Sequence, residues 1–202
     1  MQRYYQDSRR NYFQCECCQL VFVDPAQRLT KEQEKAEYDL HQNSPADTGY
    51  RQFLRRLCQP MLAMLQPNSH GLDFGCGPGP TLSLMFEHAG HSVNLYDHFY
   101  CNNELALAER YDFICATEVI EHLFEPGRVL RQLWQLLKFG GVMGLMTKLV
   151  IDQAAFSGWH YKNDPTHVCF FSAASLQWLA AELGAEITII GSDVIVLSKP
   201  YA

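Results

Sequence analysis

The chain has 202 residues, of which 48% are hydrophobic, and a formal net charge of −6. This composition supplies enough apolar surface for a folded core, and the negative charge argues against a nucleic-acid backbone as the main partner. No apolar run reaches membrane-spanning length, and most of the eight cysteines are scattered singly, so we expect a reduced, cytoplasmic protein without membrane insertion.

From residue 50 onward, helical and strand-like patterns alternate along the chain. Apolar residues at helical spacing predict a helix over 50–65, which leads into a strand ending at Asp73. The later patterns predict, in order, a helix at 82–89, strands at 92–96 and 111–116, a helix at 126–137 closed by Gly140 and Gly141, a strand at 142–147, a helix at 172–183, and strands at 186–190 and 194–198. This order predicts an α/β fold: a doubly wound, mostly parallel sheet with a C-terminal antiparallel hairpin.

A glycine-rich turn follows the strand that ends at Asp73. Gly75, Gly77 and Gly79 alternate with other residues, so the backbone can approach a ligand where a Cβ would collide. The next helix offers free N–H groups to an anion, while Asp73 can accept hydrogen bonds from a ligand or from the loop. The turn therefore predicts a binding site for a small molecule with both anionic and cationic groups.

Three features together resemble the class I S-adenosylmethionine-dependent methyltransferases, in particular the ubiquinone-biosynthesis type. They are the turn at 71–79, Asp97 at the end of the next strand, and the segment YDFICATEVIEHL at 111–123. The resemblance covers roughly residues 50–200 and implies a Rossmann-like methyltransferase domain at 49–202, with S-adenosyl-L-methionine as the cofactor. It implies these cofactor-binding residues: Asp73, Gly75, Cys76, Gly77 and Gly79 in and before the turn, Asp97 on the ribose hydroxyls, and Thr117 and Glu118 in the cofactor or substrate cleft.

One segment departs from the family pattern. Between Asp97 and Asp112 the chain is too short for the helix and strand that family members usually place there, and that strand usually supplies an adenine contact. By position alone, the remaining adenine candidates are Phe99, Tyr100, Asn102 and Asn103. A nicotinamide dinucleotide enzyme is an alternative reading of the turn, but its GxGxxG spacing is not met because Gly79 comes one residue early. Thr117 and Glu118 could also simply cap the following helix.

The segment at 156–171 is dense in His, Tyr, Trp and Asp, and the resemblance implies that such a loop covers the substrate. His167 or His160 is the expected general base, because imidazole titrates near neutral pH, and Asp164 could orient one of them. The alternative is a histidine buried in a hydrogen-bonded turn made by Asp164 and Pro165.

Two aromatic residues of the same segment, Trp159 and Tyr161, could stack on a planar substrate or surround the sulfonium. His122 is expected to fix a loop rather than to catalyse.

Residues 1–48 are expected to form an N-terminal extension with a possible lid. The lid candidates are polar, and the alternative is a solvated loop with a helix N-cap at Asp47 or Thr48; the candidates are Tyr38, His41, Asn43, Asp47 and Tyr50.

The extension also carries a Cys-x2-Cys pair, Cys15 and Cys18, which resembles the second knuckle of a zinc ribbon found before some bacterial methyltransferase domains. Structural zinc needs four ligands, and with Cys17 the segment supplies at most three. We therefore expect a degenerate knuckle and assign no metal ligands.

These features predict methyl transfer from S-adenosylmethionine to a small-molecule acceptor, with an O, N or C nucleophile attacking in line. The alternative is a non-catalytic cofactor-binding or interaction module built on a methyltransferase scaffold. Neither the acceptor nor the oligomeric state follows from these motifs.

Overall fold

The structure is a computed structural model that describes residues 1–40 and 44–201. The helices are α1 Lys31–Tyr38, α2 Thr48–Leu62, α3 Thr81–His88, α4 Pro126–Leu136, α5 Gln153–Ser157 and α6 Ala173–Leu183. The strands are β1 Gln2–Gln6, β2 Asn11–Gln14, β3 Val21–Val23, β4 His70–Phe74, β5 Ser92–Tyr96, β6 Tyr111–Thr117, β7 Leu137–Met146, β8 Cys169–Phe170, β9 Glu186–Ile190 and β10 Val194–Ser198.

The larger sheet has six strands in the order β5-β4-β6-β7-β10-β9. The first four are parallel, and β10 runs antiparallel to both β7 and β9. The predicted fold class, a mostly parallel α/β sheet with a C-terminal antiparallel hairpin, is confirmed. Within the described chain, only a short 3-10 helix, Glu104–Ala108, connects β5 to β6, so β5 forms one edge of the sheet.

Helices cover both faces of this sheet. On one face α2 and α3 pack against it through a cluster that includes Leu57, Met61 and Phe86. The approach of α2 is close: a Cβ added at Gly144 of β7 would lie 2.1 Å from the Met61 sulfur. The other face is covered by α4 and α6, whose buried leucines include Leu130, Leu133, Leu176 and Leu179.

The smaller sheet is antiparallel in the order β1-β2-β3-β8. Its fourth strand comes from residues 169–170, so the N-terminal extension pairs with the segment predicted to cover the substrate. Phe170 packs edge-on against Tyr12 and Phe156, with ring centroids 5.9 and 5.4 Å apart. This aromatic cluster joins the extension to the rest of the chain.

One local prediction needs correction, and one helix was not predicted. Gly140 and Gly141 do not close the helix at 126–137; α4 ends at Leu136, and Leu137 already pairs with Tyr111 as the first residue of β7. The reason is that Leu137 is buried in the core, while Gly140 has a positive φ of 75° inside the strand. Residues 31–38, a polar and charged stretch for which no helix was predicted, form α1, which a capping box between Thr30 and Gln33 begins.

Across residues 1–40 and 44–201, no helix combines the length and apolar character that crossing a membrane requires.

Candidate functional site

A cleft of about 690 Å³ opens at the carboxyl ends of β4, β5 and β6. This is where ligands bind in open parallel α/β sheets. The cleft brings together most of the predicted site residues: Asp73, Gly75, Cys76, Gly77, Asp97, Thr117, Glu118, Asp164 and His167.

Asp73, the fourth residue of β4, is only 3% exposed. Burial raises its pKa to about 7; an N–H donated by Ser83 partly opposes this shift, and the nearby charge of Asp97 adds to it. A positively charged ligand group would therefore stabilise the charged form of this carboxyl group at the base of the turn.

The glycine turn is shaped by two positive φ angles. Gly75 has φ of 75°, and a Cβ there would lie 2.4 Å from a Val119 methyl carbon. Gly77 has φ of 63°, and a Cβ there would meet no atom of the described chain within 4 Å, so the backbone borders open cleft space. A side chain at position 75 would thus clash with Val119, whereas Gly77 leaves room for a ligand.

Asp97 follows the last residue of β5 and ties the turn to the next loop. Its Oδ2 accepts a hydrogen bond from the Gly77 N–H at 3.0 Å. Its Oδ1 accepts from the N–H groups of Phe99 and Tyr100 at 2.8 and 3.0 Å. Because a carboxylate oxygen can accept two hydrogen bonds, Oδ2 retains capacity for a ligand hydroxyl.

Helix α1 lies over this end of the cleft. Tyr38 lines the cleft, and its ring packs against Phe99 and His122 with centroids 5.8 and 5.3 Å apart. The Tyr100 hydroxyl donates to Asp39 at 2.7 Å, directly after the helix. The helix is therefore in contact with both the loop after β5 and the turn after β6.

The other lid candidates do not all line the cleft. Tyr50 lines the cleft, whereas Asp47 caps α2 by accepting from the N–H groups of Gly49 and Tyr50, as the alternative reading has it. His41 and Asn43 lie outside the described residues.

Behind the opposite end of the cleft, one tyrosine lies between two carboxyl groups. The Tyr161 hydroxyl donates to Glu121 Oε1 and lies 3.2 Å from Glu118 Oε2. Burial, together with the charge of Glu118, raises the pKa of Glu121 to about 8, and burial also raises the pKa of Glu118. Glu118 has a left-handed backbone, with φ of 52°, which is uncommon for a residue with a side chain.

Two histidines lie beside these carboxyl groups. His167 Nδ1 is 2.7 Å from the Tyr161 carbonyl oxygen, and His122 Nδ1 is 3.2 Å from the Thr166 carbonyl oxygen. A carbonyl oxygen only accepts, so both Nδ1 atoms carry the proton. Burial lowers the pKa of His167, which favours its neutral form. One ligand atom each from Glu121, His122 and His167 lies within 4.8 Å of the others.

Several predicted residues lie elsewhere. Gly79 does not line the cleft, and neither does His160, which is exposed with its Nε2 3.0 Å from Lys148 Nζ. His160 therefore lies apart from His167, and its role as a base stays a prediction. Trp159 and Tyr161 pack against each other with tilted rings, whose centroids are 5.0 Å apart. Neither ring lines the cleft, and their contact with a substrate stays a prediction.

Arg10 is a buried residue that the sequence reasoning missed. Its guanidinium donates to the carbonyl oxygens of His167 and Asp164, both at 2.9 Å, and to those of Lys162 and Pro165. It therefore holds the loop that carries His167. No local motif marks this role, because Arg10 and His167 are separated by 157 positions in the chain.

The N-terminal cysteines form a tight turn. Gln19 N–H donates to the Cys15 carbonyl at 2.9 Å, and Gln19 has a positive φ of 59°. The backbone N–H groups of Cys18 and Cys17 help to lower the pKa of Cys15. The thiols of Cys15, Cys17 and Cys18 are free, and their metal-free state stays a prediction.

Comparisons with known proteins agree with this architecture. A family model described as a methyltransferase domain matches residues 46–189. Magnesium protoporphyrin IX methyltransferase from Synechocystis PCC 6803, solved with S-adenosylhomocysteine, is 14% identical, with a TM-score of 0.55 over 83% of this chain and 93% of that one. The 1,6-didemethyltoxoflavin-N1-methyltransferase of Burkholderia thailandensis, solved with 1,6-didemethyltoxoflavin and S-adenosylhomocysteine, is 16% identical, with a TM-score of 0.56 over all of both chains. At such low sequence identities, the structural similarity shows the fold alone. The sequence has no match among curated proteins.

Proposed function

Because the chain belongs to the methyltransferase-domain family, we propose that it transfers a methyl group from S-adenosylmethionine to a small-molecule acceptor in the cleft. The predicted class, a methyltransferase with a Rossmann-like fold, is confirmed. The cofactor assignment is supported by solved neighbours that hold S-adenosylmethionine or S-adenosylhomocysteine. The Burkholderia neighbour also holds its small acceptor, which supports a small-molecule acceptor here.

The observation that carries the proposal is the fit of the β4–β5 end of the cleft to this cofactor. A buried carboxyl group, Asp73, stands where a cationic ammonium group would be stabilised. The open space at Gly77 lets a ligand approach the backbone, and Asp97 Oδ2 keeps acceptor capacity for a hydroxyl. One ligand with an ammonium group and ribose hydroxyls would satisfy all three positions.

When bound, the cofactor supplies an electrophilic methyl group on a sulfonium. The chain's own residues then position the reactants and exclude water from the cleft. Asp73 would accept hydrogen bonds from the ammonium group, and Asp97 would accept from the ribose. The half-buried Phe99 and Tyr100, with α1 above them, would shield the ligand, so catalysis would rest mainly on alignment of the reactants.

The acceptor would lie at the other end of the cleft, against residues of the loop at 164–167 and the turn after β6. Asp164 and His167 line that end together with Glu118. Of the two histidines predicted as catalytic, His167 is therefore the one we place at the acceptor.

The test is binding of S-adenosylhomocysteine, measured by calorimetry, to the wild type and to two glycine variants. Gly77→Ala should weaken binding by about tenfold or more, because its Cβ enters the space used by the ligand. Gly90→Ala is the matched control: Gly90 also has a positive φ, of 91°, with open space at its Cβ, but it does not line the cleft. Both variants should lose similar stability, about 1–2 kcal/mol, from the left-handed backbone.

Equal effects of the two substitutions on affinity, or unchanged affinity in Asp97→Ala, would contradict this location of the cofactor. Binding of NAD without binding of S-adenosylhomocysteine would contradict the proposed function itself.

A further inference from the structure

Helix α1 covers the cleft beside the edge of the large sheet. β5 is the edge strand, and in the described chain no further strand lies outside it. Instead, α1 packs on the loop after β5: the Tyr38 ring lies against Phe99, and Lys35 Nζ is 5.1 Å from the centroid of the Tyr100 ring. The N-terminal extension thus supplies a wall of the cleft from outside residues 46–189, which the family model matches.

One carboxyl group on this wall, that of Glu34, has no role in the site described so far. Glu34 lines the cleft and is half-buried. Its Oε1 accepts a hydrogen bond from the Tyr38 hydroxyl at 2.7 Å, and within the described residues Oε2 accepts none, so Oε2 can accept from a ligand. Burial raises the pKa of Glu34, although the hydrogen bond from Tyr38 and the charge of His98 oppose this shift.

The cofactor has one hydrogen-bond donor that the proposed site leaves without an acceptor. S-adenosylmethionine donates from its ammonium group, from its ribose hydroxyls and from the amino group of its adenine. The proposed site assigns Asp73 to the ammonium group and Asp97 to the ribose. The adenine amino group therefore still needs an acceptor in the cleft, because a polar group that loses water without gaining a partner weakens binding.

The position of Glu34 matches this remaining donor. Its carboxyl group is close enough to His98 for their charges to interact, and His98 directly follows Asp97 in the chain. The adenine is attached to the ribose that Asp97 would hold, so the base would lie beside the same loop. The other unassigned carboxyl groups of the cleft lie at its acceptor end or pair with Arg128, and they are Glu118, Asp164 and Glu125.

We propose that Glu34 selects the base of the cofactor by accepting a hydrogen bond from the amino group of adenine, an inference that rests on the proposed cofactor site. A carboxylate accepts from an amino group but repels a carbonyl oxygen in the same place, because neither oxygen carries a proton. Glu34 is therefore a specificity-determining residue that favours adenine over hypoxanthine, which has a carbonyl oxygen where adenine has the amino group.

The test compares calorimetric binding of S-adenosylhomocysteine and S-inosylhomocysteine, the analogue with hypoxanthine as its base, at pH 8, which favours the charged form of Glu34. The wild type should bind S-adenosylhomocysteine at least about tenfold more tightly. In Glu34→Gln this preference should fall below about threefold, because the amide oxygen can accept from adenine and the amide nitrogen can donate to hypoxanthine. Most of the change should be a gain of affinity for S-inosylhomocysteine, which a merely loosened helix would not produce.

Glu37→Gln is the matched control. Glu37 carries the same charge on the same helix but does not line the cleft, so this variant should keep the wild-type preference. Equal binding of the two ligands by the wild type, or an unchanged preference in Glu34→Gln, would overturn the role of Glu34 and leave the proposed function standing. Absence of S-adenosylhomocysteine binding by the wild type would contradict the proposed function itself, and this inference with it.

Discussion

Asp73 shows how one side chain can make cofactor binding sensitive to pH. In the folded protein its pKa is raised to about 7, from the usual value near 4, because burial disfavours the charged carboxylate. Its folded state therefore holds a proton between about pH 4 and 7 that the unfolded chain has released. The contribution of this group to stability accordingly falls as the pH rises through that window.

A cationic ligand reverses this preference, so we predict that affinity for S-adenosylhomocysteine rises with pH. The charged form of Asp73 accepts the ammonium hydrogen bonds, and binding should be about tenfold weaker at pH 6 than at pH 8. Tyr50, which faces Asp73, does not titrate in this range, because burial raises its pKa to about 12.

Asp73→Asn is the control for that pH dependence: calorimetry should give weaker binding that varies little between pH 6 and pH 8. A wild-type affinity that is flat across the same range would show that Asp73 does not contact the ammonium group.

At the scale of single elements, segments with a periodic apolar pattern could be predicted from the sequence, whereas elements without such a pattern could not. The helices and strands at 50–147 and 172–198 follow from their apolar spacing, and the turn with Asp73 and Asp97 follows from motif and chain order. The short elements α5 and β8 were not predicted. Helix α1 has no buried residue, so it carries no apolar stripe to recognise. Only its capping box, Thr30 with Gln33, marks it in the sequence.

The acceptor end was predictable only in composition. The segment at 156–171 is rich in candidate groups, but the sequence does not distinguish His167 from His160. In the structure His160 is exposed at the start of a 3-10 helix, His160–Asn163, whereas His167 is buried in the loop that follows. Glu121 was visible in the EVIEH segment, yet its burial and orphaned oxygen depend on Tyr161, which is 40 positions away. Such pairings are set by tertiary packing.

Helix α1 should respond to the cofactor. Its contacts with the site are mainly the ring of Tyr38 against Phe99 and His122, and the Tyr100–Asp39 hydrogen bond. Because these contacts are few, the helix should open readily in the apo protein. We predict that S-adenosylhomocysteine slows amide hydrogen exchange in residues 31–38, whereas α6, on the other face of the sheet, should not change.

Variants of Tyr38 locate the source of this effect. Tyr38→Ala should speed dissociation of S-adenosylhomocysteine about three- to tenfold, measured by stopped flow, because the cover over the cleft is lost. Tyr38→Phe keeps the ring packing and removes only the hydrogen bond to Glu34, so its dissociation rate should remain near that of the wild type. Equal rates for wild type and Tyr38→Ala would show that α1 does not retain the ligand.

At the scale of the whole molecule, the small sheet and the acceptor end of the cleft form one mechanical unit. β8 pairs with β3 of the extension, and the N–H of Val168, just before it, donates to the Glu121 carbonyl at 2.8 Å. Lys162 and Asp7 form an ion pair at 2.7 Å with both groups largely buried. The N-terminal extension thus supports the loop that carries His167, although the two are far apart in sequence.

Arg10 is the centre of this support, and its removal should separate acceptor chemistry from cofactor binding. Arg10 is 8% exposed and serves four carbonyl oxygens of the loop, so Arg10→Ala leaves several buried acceptors unsatisfied. We predict a loss of about 2–3 kcal/mol in the free energy of unfolding, measured with urea. Affinity for S-adenosylhomocysteine should change less than about twofold, because Arg10 does not line the cleft, whereas methyl transfer should slow as His167 loses its fixed position. Arg9→Ala, at the exposed neighbouring position, is the matched control and should alter none of these quantities. If Arg9→Ala and Arg10→Ala behaved alike, the extension would not support the acceptor loop through this guanidinium.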